Sequence, residues 1–373
     1  MKEENINIAQ RKPRVLIAPL DWGLGHATRM VPLLQLLENA GAEVILAADG
    51  AIRKLLQKEL PGREILPLSG YNIRYGKSNK TFFMKLLLQI PSVLQSVKKE
   101  QAWLKQAIAK NRIDAVISDN RFGLYSKKIP TVFITHQLFI EAGNSFLNRA
   151  AQKINFSLIH KFSECWVPDW AQNGLAGRLS HPVKMPPLPV KYLGPLSRFE
   201  KAESTGSEHL LFILSGPEPM RSIWEKELLA QLKSHQGHAV MVRGLPVSNE
   251  KINAPAGLTV HDFLPAAQLS EEIAKAGTII CRSGYSTIMD LAVMGKKAIL
   301  VPTPGQGEQE YLGRYLMEQG WFYSCGQDQF RLDKALQAAQ KFSFNRMPAQ
   351  STSGAKSIVE EWVRAVQKIM PLQ

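Results

Sequence analysis

Short apolar runs alternate with longer amphipathic stretches through both halves of the chain. "RVLIAPL", Arg14 to Leu20, is an almost unbroken apolar run that stops at Asp21, and it reads as a strand buried on both faces. "MVPLLQLLENAG" follows at helical spacing, with Pro32 expected in its first turn and Gly41 at a left-handed stop. "AEVILAAD", "REILPLSG", "IDAVISD", "TVFITH" and "ECWVPD" read as further strands. The rhythm restarts at "HLLFILSG", passes through the helix "SIWEKELLAQLKSH", and continues with the strands "HAVMVRG", "LTVHDF", "TIICRSG" and "KAILVP". Strands separated by helices imply an α/β fold of two Rossmann-like, doubly wound parallel-sheet domains.

Between the halves lies "HPVKMPPLPVKYLGPLSRF", with five prolines from Pro182 to Pro195. Proline withholds a backbone donor and resists helix, so this stretch reads as a stiff, extended connection. The boundary is expected near Gly194–Phe199, giving domains 1–195 and 196–373. The last helical pattern, "SGAKSIVEEWVRAVQKIM", is a candidate to return to the first domain. Ligands of such sheets sit outside the carboxyl ends of the strands, so two facing domains enclose a cleft.

The net charge of +14 is unevenly spread: residues 1–200 carry 28 Lys and Arg against 15 Asp and Glu, and residues 201–373 carry 18 against 17. The first half is therefore expected to face an anionic partner. The first fourteen residues are polar and show no secretory pattern, and no run of about 18 uncharged apolar residues is present. Cys165, Cys281 and Cys325 are scattered, which argues against a disulfide framework and a cysteine zinc site and fits a reducing cytoplasm.

Chemistry concentrates at strand ends. In "TIICRSGYSTIMDLAVMGKKAILVP", Ser283 and Gly284 fall where a strand gives way to a helix, so free amides there suit an anion. Asp290, about two turns on, is within reach of a ribose diol lying along the helix start; the plain alternative is that Ser283 is only an N-cap and Asp290 a solvated helix residue. In "VPTPGQGEQEYLGRYL", prolines and glycines force an irregular loop that delivers Glu308, Gln309 and Glu310 to a helix start, groups suited to sugar hydroxyls.

The run "CRSGYSTIMDLAVMGKKAILVPTPGQGEQEYLGRYL" resembles the donor-sugar signature of GT-B glycosyltransferases of the family 28 type. The likeness extends to the glycine turn with a histidine after the first strand and to "TVFITHQ". The resemblance implies a UDP-sugar donor in the second domain and no resident cofactor. Phe263 and Leu264 of "HDFLP" would contact the base; Arg282, Ser283 and Gly284 would begin the pyrophosphate helix. Asp290 stands where the family has a ribose-binding glutamate. Gln309 and Glu310 match a glutamine pair that reads the transferred sugar, and Ser215 and Gly216 of "LSGPEPM" occupy the place of a phosphate loop. That loop and "THQLF" depart from the family's sequences, which leaves donor sugar and acceptor open.

"GLGHATR" admits several readings. A dinucleotide fingerprint lacks its third glycine, with Thr28 in its place. A purely structural turn is a second. In the third, Gly23 and Gly25 clear space for an acceptor and His26, with an ordinary pKa near 6.5, is its general base. Asp119, Asn120 and Arg121 of "VISDNRFG" lie on the same sheet edge, with Asp119 the rival base, and His136 ends the next strand; loop capping is their plain alternative. No Asp-x-Asp pair appears, so no metal is expected, and a single displacement would invert the anomeric carbon.

From Tyr71 to Lys99 there are six Lys and Arg and no acid, with Phe82, Phe83, Leu86, Leu87, Ile90, Val93, Leu94 and Val97 near helical spacing and Pro91 expected to kink or interrupt the helix. Such an element reads either as core-facing or as lying on an anionic membrane. The resemblance favours the membrane, with a lipid-linked or other glycan acceptor and a peripheral place on the cytoplasmic face of the cell membrane. A UDP-sugar hydrolase or 2-epimerase of the same fold, and a non-enzymatic lipid or nucleic-acid binder, are the alternatives. No nucleic-acid-binding motif appears, so nucleic acid is not an expected partner.

Overall fold

The computed structural model describes residues 11–21, 23–71, 79–141, 145–201, 209–248, 250, 252–348 and 353–370, with side chains described for all of these except 79–91 and 353. The first sheet is built from β1 (Arg14–Pro19), α1 (Leu24–Asn39), β2 (Glu43–Ala48), α2 (Gly50–Glu59), β3 (Ile65–Pro67), α3 (Asn79–Asn111), β4 (Ala115–Asp119), β5 (Thr131–Ile134), α4 (Ser145–Ile159), β6 (Glu164–Val167) and β7 (Val190–Tyr192). The second comprises β8 (Leu210–Ile213), α5 (Met220–Leu232), β9 (Ala239–Val242), β10 (Leu258–His261), α6 (Ala266–Lys275), β11 (Thr278–Cys281), α7 (Tyr285–Val293), β12 (Ala298–Leu300), α8 (Gly307–Glu318) and β13 (Tyr323–Ser324). Helices α9 (Leu332–Lys341) and α10 (Ser353–Ile369) follow.

Both sheets are parallel, in the orders β3-β2-β1-β4-β5-β6-β7 and β10-β9-β8-β11-β12-β13. Each therefore reverses direction once, between β1 and β4 and between β8 and β11. The chain leaves the carboxyl ends of those neighbours to opposite sides, which opens a crevice there. Val15, Leu16, Ile17 and Ala18 of β1 are fully buried, alternately among the helices on one face and on the other. That two-sided burial is why the strand sequences are continuous apolar runs.

Several elements differ from the sequence expectation. Helix α1 begins at Leu24, six residues earlier than "MVPLL" suggests, so Pro32 lies inside it. Contacts of its first two turns, described below, hold those turns in place against the missing hydrogen bond. The proline-rich connection is not extended throughout: Val190–Tyr192 pairs with β6 as the edge of the first sheet, a position proline neighbours tolerate. Helix α3 runs through Pro91 without interruption. Arg74 and Lys77 lie outside the described residues, as do the side chains of Lys80, Phe82, Phe83, Lys85, Leu86, Leu87 and Ile90. Of the rest of that segment, Val97 is buried against Leu20 and Tyr71, Val93 is half-buried and Leu94 is exposed.

The chain crosses between domains where Leu196 joins the first core and Phe199 the second. Helix α10 then crosses back. Its Val359, Trp362, Val363 and Val366 pack with Leu33, Leu34 and Leu37 of α1, and Trp362 meets Trp166 of β6 edge to face at 5.3 Å. Replacing Trp362 by Ala removes a nearly buried indole from that core, and urea unfolding is expected to show a loss of about 3 kcal/mol.

Candidate active site

Asp119 closes β4 beside Pro19 at the end of β1, and it is fully buried. A carboxylate excluded from water needs partners. Two come from α1, three residues apart and so on one helix face: His26 Nδ1 lies 3.0 Å from Asp119 Oδ2, Arg29 Nε donates to the same oxygen at 3.0 Å, and Arg29 Nη2 donates to Oδ1. Burial alone would raise the Asp119 pKa, but Arg29 and His26 outweigh it and hold the group down at about 2. At Nδ1, Asp119 Oδ2 only accepts and Arg29 Nη2, 2.8 Å away, only donates; with Nη2 already donating to Asp119 Oδ1, the proton is assigned to His26 Nδ1. Nε2 then carries a lone pair, and no described residue hydrogen-bonds to it. Burial pushes the His26 pKa down, aided by Arg29 and His136 against the pull of Asp119. The imidazole is thus neutral near pH 7.

The second domain presents α7. Gly284 is its N-cap, with no side chain capping the helix, so the first-turn amides lack intrahelical partners. Ser283 is fully buried and its hydroxyl donates to Gln309 O at 2.8 Å instead of capping α7. The N-terminal ends of α1 and α7 touch: a Cβ on Gly25 would overlap the Ser286 side chain. Beside this contact lies a cavity of about 110 Å³ lined by Gly25, Ser215, Gly244, Phe263, Leu264 and Asp290, among others. Asp290 Oδ1 accepts from Ser197 Oγ at 2.7 Å, and burial pushes its pKa up to about 6.

Polar contacts tie the two walls together. Glu308 in the first turn of α8 accepts from Gln137 and pairs with His136 Nε2 at 2.7 Å. The His136 ring stacks on Tyr285 of α7 at 4.1 Å, and the Tyr285 hydroxyl donates to Pro168 O at 2.8 Å. Arg198 pairs with Glu59 of α2, and both are nearly buried.

Of the residues singled out from sequence, His26 and Asp119 meet directly, and Asn120 adds a 3.2 Å hydrogen bond to Asp119 Oδ1. Ser215, Phe263, Leu264, Asp290 and Gly25 share one cavity. Gly284 and the exposed Gly23 begin the two facing helices, and Gly216, at φ +105°, follows Ser215 in the turn after β8.

Others are placed elsewhere. The Arg282 side chain does not reach the cleft. It turns into the second domain, where it donates to Val301 O, Pro302 O and Gln327 and lies over Trp224. Burial lowers its pKa to about 10. Arg121 is likewise a buried brace, donating to Glu100 Oε1 at 2.7 Å and to Ser69 O. Unpaired carbonyls and a buried carboxylate claim both guanidinium groups. The Gln309 amide is spent within its own turn, on Thr303 N and Gln306. Glu310 accepts from Gly305 N and lines a separate surface groove with Arg314 and Phe342. Arg29, Tyr285 and the cleft-bridging role of Glu308 were not legible in advance. The three-residue spacing of His26 and Arg29 was the available signal for the first.

Residues 225–362 match the glycosyltransferase family 28 C-terminal domain. The chain is 31% identical over 344 residues to the UDP-N-acetylglucosamine–N-acetylmuramyl-(pentapeptide) pyrophosphoryl-undecaprenol N-acetylglucosamine transferase of Pasteurella multocida, covering 90% of each chain. Among solved structures, the glycosyltransferase of kitacinnamycin superposes with a TM-score of 0.62 at 15% identity, over 96% of each chain. Acinetobacter baumannii MurG superposes at 0.52 and 14% identity, over 96% of this chain and all, 100%, of that one. Two facing parallel sheets of this order are the GT-B architecture of glycosyltransferases. The chain belongs to glycosyltransferase family 28.

A carboxyl that, like that of Asp290, binds its proton more tightly when folded contributes stability below the ordinary carboxylate range, and that contribution is lost as pH rises through about 6. Asp290→Asn keeps an acceptor for Ser197 and removes the titration. Its unfolding free energy is expected to lose the Asp290 part of the fall across that window and to exceed the parent's at pH 7 by on the order of 1 kcal/mol, read from urea melts.

Proposed function

We propose that the enzyme transfers a hexose, N-acetylglucosamine or a relative, from a UDP-sugar to a hydroxyl of a lipid-linked acceptor, with inversion and without a metal ion. The observation that carries this reading is the free Nε2 of a neutral, Asp119-backed His26 on the wall facing the uncapped start of α7. The acceptor hydroxyl gives its proton to Nε2 as its oxygen bonds to the anomeric carbon. The bond from that carbon to the phosphate oxygen breaks, and its electron pair leaves with UDP. Asp119 steadies the imidazolium that forms and does not touch the acceptor. The α7 amides, with Ser215 and Gly216, meet the charge on the pyrophosphate. Phe263 and Leu264 face the base, and Asp290 the ribose, where its ionised form accepts from the hydroxyls. Glu308, at the cleft side of the first turn of α8, is the group suited to the hydroxyls of the transferred sugar. The cavity is smaller than the several hundred Å³, roughly, of ordinary ligand sites. The walls therefore part to admit the donor and close on it.

His26→Ala is expected to keep UDP affinity, measured by calorimetry, while acceptor-dependent UDP release falls about 10²- to 10⁴-fold. Unchanged release rules out His26 as the base. Release that is as fast without lipid acceptor as with it replaces transfer by hydrolysis.

The acceptor's lipid implies a membrane-facing surface. Among the described residues no helix is long and apolar enough to cross a membrane. Helix α4 exposes Phe146 (76%) and Ile154 (55%) on one face with Arg149 and Lys153. Such a face suits insertion at an anionic interface. Phe146→Glu with Ile154→Glu is expected to cut binding to phosphatidylglycerol vesicles at least about tenfold in sedimentation, with the circular dichroism spectrum unchanged. Equal binding by the variant assigns membrane contact elsewhere.

A further inference from the structure

We infer that Arg29 is a positioning residue of the reaction: by saturating the Asp119 carboxylate, it keeps the adjacent His26 uncharged and able to accept a proton near neutral pH. This rests on the reading of His26 as the base. An imidazole beside a buried carboxylate, with nothing else near, tends to hold its proton, because the ion pair is favoured over a neutral ring facing an unpaired charge. A base that is already protonated cannot take the acceptor's proton. Here the carboxylate is matched before His26 is counted. Arg29 is 2% exposed and donates to both Asp119 oxygens, and its Nη2 lies 2.8 Å from His26 Nδ1. Protonating His26 would set a second positive charge against the guanidinium with one carboxylate between them.

The other groups around His26 pull in both directions, and Glu308 is the one that favours its charge. From β4 come Asp119 and the neutral Asn120 amide on its Oδ1. From the end of β5 comes His136, which opposes a positive charge on His26. From α8 comes Glu308, whose two oxygens are taken by His136 and Gln137. From α7 comes Tyr285, stacked on His136 and kept un-ionised by burial. Asp119 takes Nε and Nη2 of Arg29, and the side chain is 2% exposed.

The test follows His26 directly in the full-length protein. Side-chain NMR of histidine-labelled enzyme, with the His26 signal assigned through His26→Gln, gives its titration in the parent, Arg29→Met and Arg29→Lys. The pH profile of kcat/KM for UDP release is recorded alongside. In Arg29→Met the His26 titration is expected to rise by about one unit or more, and the acid limb of the profile to move up with it. Activity at pH 6.5 should drop by up to about fivefold for a one-unit rise and recover above pH 8.5. Arg29→Lys, which keeps the charge, should titrate close to the parent. UDP affinity should be the same in all three. Arg29→Gln, which keeps a donor to Asp119 without the charge, carries the same expectation should Arg29→Met fail to fold. A His26 titration that stays in place or falls on loss of the charge overturns the inference. So does a loss of UDP affinity without a shift, which would make Arg29 a phosphate ligand. A titration that rises while the acid limb stays fixed upholds the coupling and overturns the reading of His26 as the base.

Discussion

The Asp119 carboxylate, shut off from water at the end of β4, organises the first wall of the cleft. A buried charge without partners would cost several kcal/mol. Asn120 beside it donates one hydrogen bond, and α1 supplies the two charged or titratable partners from one face. That requirement explains why the helix starts at Leu24 despite Pro32, and why His26 is a side chain of a regular helix and not of a loop. A rigid platform fixes the imidazole more tightly than a glycine-rich turn could. Gly25 completes the arrangement, because a missing side chain lets the starts of α1 and α7 come into contact.

The second wall is organised by the opposite kind of group. The start of α7 is left without a side-chain cap, so its amides stay available, while Ser283 and Arg282, which sequence would assign to an anion, are used to brace the loops beneath. The seam between the walls mixes polar contacts, Glu308 with His136 and Gln137 and Arg198 with Glu59, with an apolar patch of Leu175, Ala176, Leu179 and Trp170 against Tyr311 and Trp321.

Much of the fold was legible in the sequence. Strands buried on both faces are continuous apolar runs bounded by turn residues, and the runs read as strands are strands in the structure, in two parallel sheets. Edge strands β7 and β13 were not legible, since three and two residues beside proline or polar neighbours carry no period. For the site, the strand ends pointed to the correct edge of each sheet, because a parallel α/β sheet gathers its chemistry there. Side-chain direction was beyond reach. Beyond its three-residue spacing from His26, nothing local distinguishes Arg29, which meets Asp119, from Arg121 and Arg282, which turn inward to Glu100 and to carbonyls of other loops. Likewise Glu308, and not Glu310, faces the cleft because of where α8 enters its first turn.

The return of α10 to the first core sets an order of assembly. Domains of a growing chain generally fold as units, the earlier before the later. Here the apolar stripe of Leu33, Leu34 and Leu37 stays uncovered until Val359, Trp362 and Val363 have been made, a whole domain later. The first domain therefore waits on the ribosome with part of its core open while the second completes its sheet. The same helix that closes the earlier domain keeps the nascent protein from finishing in the order in which it is read.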